Sequence, residues 1–192
     1  MSLGLTAALA VAVRFGDLQR FDDSLEEWVN QHRERLYPFA RIASLLGERT
    51  VHPLLATASA VTLTLATHQP FLHFAIPLGA ASLGGIVAHH VVKFVYRRAR
   101  PRVALDRQKY EPAFPSGHTT NSTAVLATGA YLFTHEALLA GGVAALIVAI
   151  PLLCTGVSRV ALGWHWGSDV IGGWLTGLGV AALCASLFLA LL

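Results

Sequence analysis

Apolar residues in this chain gather into long runs rather than alternating with polar ones. Five runs stand out, at about 51–67, 71–95, 119–133, 137–157 and 170–192, each bounded by short polar segments. The last two contain no charged residue, and roughly 20 apolar residues are what a helix needs to cross a hydrocarbon core of ~30 Å. The pattern predicts five transmembrane helices. A sixth run, 3–13, is short for a crossing. Its length also suits the apolar region of a signal peptide, but no positive charge precedes it and "RFGDLQ" after it is not a small-residue cleavage site. A short first span, extended by Arg14 to Gly16, is the expected reading.

Between the first two spans, "FDDSLEEWVNQHRERLYPFARIASLLG" is charged but periodic. Leu25, Trp28, Val29, His32 and Leu36 recur at three- and four-residue spacing, which puts them on one face of a helix. Asp22 or Asp23 can cap it, and Glu26 and Glu27 fall in the first turn, where the helix dipole favours acids. A solvated connector would account for the charges but leaves Trp28 and Leu36 without a use, so a helix in the membrane interface is expected. Small residues recur every fourth position at Ala80, Gly84, Ala88 and at Gly173, Gly177, Ala181. In lipid, where packing drives helix association, that spacing lets backbones approach closely. The expected fold class is all-α: an integral membrane six-helix bundle with an additional interfacial amphipathic helix between the first two spans, as one domain over 1–192.

Composition agrees. The chain is 54% hydrophobic and 13% charged, against ~25% charged in soluble domains, and its mean hydropathy is +0.56. A formal net charge of +3 would admit nucleic acid as a partner. The cations, however, lie at the ends of apolar runs and form no basic helix, so nucleic acid is excluded in favour of a small anion or a lipid headgroup. Cys154 lies four residues before Ser158, whereas Cys184 lies fifteen past Asp169, about 22 Å further in at 1.5 Å per helical residue, so the two sit at different depths in different spans. Both are expected to be free and buried.

Counting spans assigns each connection to a side. All 14 Lys and Arg fall on one face of the membrane, with every acid except Glu136. Three polar clusters meet there. "KFVYRRARP" places Lys93 at the end of a span, where it either snorkels to the headgroups or meets an anion. In "FPSGHTTNS", Ser116 can cap a helix and Gly117 clears space at its N–H donors, a ready anion site. "SRVALGWHWGSD" sets His165 and Asp169 four residues apart, on one face of a continuous helix. A carboxylate on one imidazole nitrogen fixes the tautomer and frees the other nitrogen to attack. Alone, this last stretch is equally an interfacial belt anchored by Trp164 and Trp166. Together, the clusters bring cations, neutral donors and two histidines, an inventory suited to phosphoryl transfer.

In these three motifs the sequence resembles the type 2 phosphatidic acid phosphatase family. Lys93 to Pro101 matches K-x6-R-P, Pro115 to His118 matches P-S-G-H, and Ser158 to Asp169 matches S-R-x5-H-x3-D. The resemblance implies a membrane lipid phosphatase. His165 would be the nucleophile that carries a phosphohistidine, Asp169 its orienting carboxylate, and His118 the acid and then the base. Lys93, Arg100, Ser116, Gly117 and Arg159 would bind the phosphate oxygens. It implies no metal and no cofactor, and the acids form no ligand cluster in the sequence. Compatible substrates are phosphatidic acid, phosphatidylglycerol phosphate and isoprenyl pyrophosphates. Arg97, Arg98 and Arg102 lie outside the motifs and are expected at the headgroups. His89 is expected to be a hydrogen-bonded bundle histidine near the substrate, and Tyr110 and Phe114 to line the entrance.

Two other classes compete. Soluble vanadium haloperoxidases resemble the same phosphate-binding residues, but so small and apolar a chain argues against them. A non-catalytic protein that binds or transports a lipid phosphate would need the cations but no nucleophile. The positive-inside rule puts the cations, and with them the site, in the cytoplasm. Members of the resembled family usually face outward, and phosphate chemistry is a separate reason to keep Lys93, Arg97, Arg98, Arg100 and Arg159. A bacterial plasma membrane with the site on the extracytoplasmic side is the expectation.

Overall fold

The computed structural model describes Gly4, residues 18–101 and residues 111–192. Over these the chain folds into helices α1 (Gln19–Gln31), α2 (Arg33–Ser44), α3 (Val51–Thr67), α4 (Phe71–Tyr96), α5 (Gly117–His135), α6 (Gly141–Ala161) and α7 (Gly167–Ala190), with a 3-10 turn at Leu45–Gly47. No strand occurs among the described residues. The expected span at 3–13 lies outside them, apart from Gly4.

Among the described residues, fewer helices pass as spans on length and apolarity than the five runs predict. Helices α4, α6 and α7 are each long and apolar enough to cross a bilayer; α2 with its 3-10 turn and α3 pass together as a fourth candidate, bent by 56°. Helix α5 has the length but not the apolarity, because Thr119, Thr120, Asn121, Ser122 and Thr123 fill its first turns. All five are buried. Helix α5 packs against α3, α4, α6 and α7, so it is solvated by protein rather than lipid. Its hydroxyls are satisfied locally: Thr120, Thr123 and Thr128 donate to the carbonyls of Ser116, Thr119 and Ala124 at 2.7–2.9 Å. Run length measures apolarity, and a helix with no lipid face has no need of it.

The segment expected as one amphipathic helix is two. It breaks at His32, and α2 packs along α6. The cap of α1 is Leu18 rather than Asp22 or Asp23. Asp23 instead accepts from Gln19 Nε2 at 2.7 Å, while Asp22 turns out of its own helix.

The small-residue spacing on α7 does what it predicts. A methyl at Gly173 would lie 2.8 Å from Thr119 Cβ and 2.9 Å from the Ser116 carbonyl oxygen; one at Gly177 would lie 2.6 Å from the Thr120 carbonyl oxygen. The backbones of α5 and α7 therefore touch, which no larger residue permits. On α4 the interior stripe runs one residue later than expected, through Ala81, Gly85, His89 and Lys93. Gly85 admits Asn121, whose Oδ1 would stand 2.8 Å from an added methyl. Cys184 is buried and free as expected; Cys154 is free but only half-buried.

The apolar core, with Leu63, Phe74, Leu78, Leu132 and Phe188, gathers the end of α3, the start of α4 and the ends of α5 and α7. The polar interior lies at the opposite end of the bundle. There the C-terminal ends of α4 and α6 meet the N-terminal ends of α5 and α7.

Candidate active site

Four helix ends enclose a cavity of about 110 Å³. Lys93 comes from the last turn of α4, Gly117, His118 and Asn121 from the first turns of α5, and Arg159 from the last turn of α6. Arg100 and His165 enter from the loops before α5 and before α7. Gly47, Arg49, His89 and Glu111 complete the lining. The three clusters, far apart in sequence, thus converge on one void.

His165 precedes α7, whose N-cap is Trp166, so His165 and Asp169 do not share a continuous helix. They meet nonetheless, because Asp169 Oδ2 accepts the Trp166 backbone N–H at 2.9 Å and folds the turn back. His165 Nδ1 lies 3.5 Å from Asp169 Oδ2 and has no hydrogen-bond partner. Catalytic contacts often tighten only when substrate is bound. Burial, followed by the Arg100, Arg159 and Lys93 cations, holds the His165 imidazole well below the ordinary histidine range. The ring is neutral, with one nitrogen carrying the proton and the other a lone pair, and a backbone hydrogen bond with Ala113 works against the lowering.

Neutral groups and one exposed carboxylate hold the cations. Arg159, 1% exposed, donates from Nη1 to Ser44 Oγ at 2.7 Å and stacks 4.2 Å from the Trp164 ring. Its Nε has no partner. Arg100 donates to the Trp164 and Glu111 carbonyls, both at 2.9 Å. The Glu111 carboxylate, largely exposed, stands 3.5 Å from Lys93 Nζ and 3.9 Å from Arg100 Nη2, where an incoming anion can displace it. Gly117 opens α5 into the cavity, and its missing Cβ leaves room for His89, whose Nε2 would lie 3.0 Å from one. His89 is the hydrogen-bonded bundle histidine expected, with Nδ1 on the Gly85 carbonyl at 2.9 Å. Ser116 lies just beneath the lining: fully buried, its backbone N–H donates to the Asp169 carbonyl at 3.0 Å and its Oγ accepts from Thr119.

Several participants escaped the sequence reading. Glu48 places Oε1 3.5 Å from His118 Nε2, which has no hydrogen-bond partner. Gly47 presses on His118: a methyl there would lie 2.7 Å from Cδ2 and 2.9 Å from Thr155 Cγ2. Gly47→Ala is therefore expected to displace the His118 ring and lower turnover by roughly 10²-fold with the fold intact, the scale of an ångström's misplacement of a reacting group. Turnover per folded enzyme checks this; an unchanged rate would show that the ring's position does not matter.

Arg98 was expected at the headgroups but is directed inward. It bridges Asp22 and Asp169, each at 2.7 Å, and also donates to Ser168 Oγ at 2.7 Å. A signal for Asp22 existed, since it shares a helical face with Leu25 and Val29, an acid on an apolar stripe. Phe114, expected at the entrance, is fully buried against Tyr96 and Gly172; Tyr110 lies outside the described residues. Trp164 and Trp166 do more than anchor an interface, one lying under Arg159 and the other donating to the Ala99 carbonyl at 3.0 Å. Among the described residues no three His, Cys, Asp or Glu side chains form a set able to hold a metal.

The sequence model described as the PAP2 superfamily matches residues 74–191. Phosphatidylglycerophosphatase B of Bacillus subtilis (strain 168) is 35% identical over 91 residues, 46% of this chain and 45% of the relative. Lipid phosphate phosphatase 2 of Arabidopsis thaliana is 38% identical over 105 residues, 51% of this chain and 35% of the relative. The matched regions thus span less than half the length of these curated relatives. The crystal structure of a transmembrane PAP2 type phosphatidylglycerolphosphate phosphatase from Bacillus subtilis superposes with a TM-score of 0.76 at 22% identity, covering 97% of this chain and 93% of that one. The shared fold is that of a membrane-embedded helical bundle.

Proposed function

The chain belongs to the PAP2 superfamily, and on that footing we propose that it is a metal-independent membrane lipid phosphatase working through a phosphohistidine. One observation carries the reading. Around a single void, Lys93, Arg100 and Arg159 face two histidines, and His118 Nε2 and Arg159 Nε are buried without hydrogen-bond partners. Buried polar atoms are ordinarily paired, and a tetrahedral phosphoryl group supplies acceptors for both.

In the first step the His165 lone pair attacks phosphorus and the bond to the lipid oxygen breaks, with its electron pair leaving on that oxygen. His118, entering the step as the imidazolium, delivers the proton that oxygen needs and is left neutral. Lys93, Arg100, Arg159 and the Gly117 N–H bear the charge on the equatorial oxygens, while Ser116 braces the start of α5. In the second step His118 takes a proton from water, hydroxide adds to phosphorus, and the N–P bond breaks to restore His165. Asp169 keeps the proton on Nδ1 throughout. The candidate substrates are phosphatidic acid, phosphatidylglycerol phosphate and isoprenyl pyrophosphates, met at the bilayer by a single domain over 1–192, with α1 at the interface and Phe21 and Trp28 about half exposed.

Purified protein is expected to release phosphate from at least one of these lipids at a rate unchanged by chelator. Activity lost in chelator would overturn the metal-free reading. Tight lipid-phosphate binding with no release would favour the alternative, a binding or transport protein built on the same pocket.

We also place the site on the extracytoplasmic side of a bacterial plasma membrane. The cations that argue otherwise have chemical employment, since Lys93, Arg100 and Arg159 line the cavity and Arg98 holds two carboxylates. In a background without native cysteines, Glu111→Cys should react in intact cells with an impermeant thiol reagent; protection until lysis would reverse the assignment.

A further inference from the structure

Arg98 is a cation of the phosphate cluster that does not line the phosphate cavity. Its guanidinium instead lies between two carboxylates, with Nη1 donating to Asp169 Oδ1 and Nη2 to Asp22 Oδ2, both at 2.7 Å. Both carboxylate side chains are fully buried, and Arg98 itself is only 11% exposed. Asp22 also accepts from the Ser168 backbone N–H at 2.9 Å and from Ser168 Oγ at 2.5 Å. The first turn of α7 is thus capped by a residue of α1, 146 positions away in sequence.

We propose that Asp22 and Arg98 are positioning residues for the nucleophile, holding the Asp169 carboxylate so that its second oxygen faces His165. Arg98 occupies Oδ1, and the Trp166 N–H approaches Oδ2 at 2.9 Å. An ionised carboxylate oxygen accepts more than one hydrogen bond, and the capacity left on Oδ2 lies 3.5 Å from His165 Nδ1. Without the guanidinium, Oδ1 would be a buried anion with no donor, and the carboxylate would turn or take up a proton. Either change releases the His165 tautomer. Charge points the same way. Two carboxylates and one guanidinium leave a formal charge of −1 beside the imidazole, which gains positive charge as the N–P bond forms. Arg98 takes the arginine's forked geometry to hold two acids at once, and through Asp22 the helix α1 becomes part of the catalytic centre.

This inference rests on the phosphohistidine reading, and its test separates the two. The purified full chain would be assayed on a lipid phosphate that the wild type hydrolyses, with inorganic phosphate as competitive inhibitor. Arg98→Gln and Asp22→Asn are each expected to lower kcat by about 10–100-fold, the usual cost of losing a partner that orients a reacting group. KM and the inhibition constant for phosphate stay within about threefold, because the cavity cations are untouched. Arg98→Lys, which keeps the charge but lacks the fork, recovers only part of the loss. In an Asp169→Asn background the Arg98→Gln effect shrinks to about threefold or less, since residues acting through one group are not additive. A loss of equal size in that background, or one carried by KM and phosphate affinity, would overturn the proposal. If Arg98→Gln does not fold, the same cycle with Asp22→Asn decides it. A wild type inactive on every lipid phosphate removes the phosphatase reading itself; an active wild type with full kcat in both variants removes only the positioning role.

Discussion

Replacing His165 by alanine is expected to eliminate the phosphoenzyme and to lower phosphate release by about 10⁴-fold or more, because the covalent route loses the atom that forms it. The site is arranged for that atom. His165 is 4% exposed, and burial together with the Arg100, Arg159 and Lys93 cations keeps it neutral. A lowered histidine pKa means that protonation begins only at lower pH. Acidification through the ordinary histidine range therefore leaves the lone pair free, and an acid limb in that range should survive in kcat/KM only if another group supplies it. Radiolabelled lipid phosphate, quenched in alkali where phosphohistidine persists, reads the intermediate directly. His165→Gln, which fills more of the space, guards against collapse of the cavity. Label retained on either variant, or turnover near the wild-type rate, would end the phosphohistidine mechanism.

His118→Ala is the second large effect, a fall of about 10²–10⁴-fold on lipid substrates, the scale of a positioned acid–base group. Its size should depend on the leaving group. A lipid alkoxide needs a proton as it departs, whereas an aryl phosphate with an acidic phenol does not. With the aryl substrate, His118→Ala should form phosphoenzyme readily but hydrolyse it slowly, giving a burst of phenol of about one per enzyme before a slow steady state. A wild-type-like steady state would deny His118 its role as base. An equal slowing of phosphoenzyme formation with both leaving groups would deny its role as acid. Glu48 at 3.5 Å and Gly47 against the ring are the local reasons His118 sits where it does.

Much of the bundle was legible because lipid imposes a coarse rule. Long apolar runs marked α4, α6 and α7, and the spacing of Gly173 and Gly177 marked the contact of α7 with α5. Helix α5 was legible as a helix but not as the central one, since its run was counted like the other spans, and only packing shows that its threonines are buried with their hydroxyls satisfied on their own backbone. The cavity-lining Lys93, Arg100, His118, Arg159 and His165 stood out as polar groups at the ends of apolar runs, and Gly117 as the space beside them. Glu48 and Gly47 did not, because an acid or a glycine in a charged segment has no signature until its partner is known, and Asp22 showed only as an acid on an apolar stripe.

The sequence by itself determined that this chain lives in a membrane, that its polar chemistry gathers on one face, and which residue types that chemistry has to work with. These follow from hydropathy and from local spacing, which act along the chain. The tertiary structure decided what each polar residue touches. Arg98 and Arg100 are two positions apart, yet one clamps carboxylates outside the cavity and the other lines it. His165 and Asp169 meet through a capped turn rather than along a helix. Such assignments depend on side chains brought together from α1, α4, α5, α6 and α7, and only the packing of those helices sets the distances on which electrostatics and hydrogen bonding act.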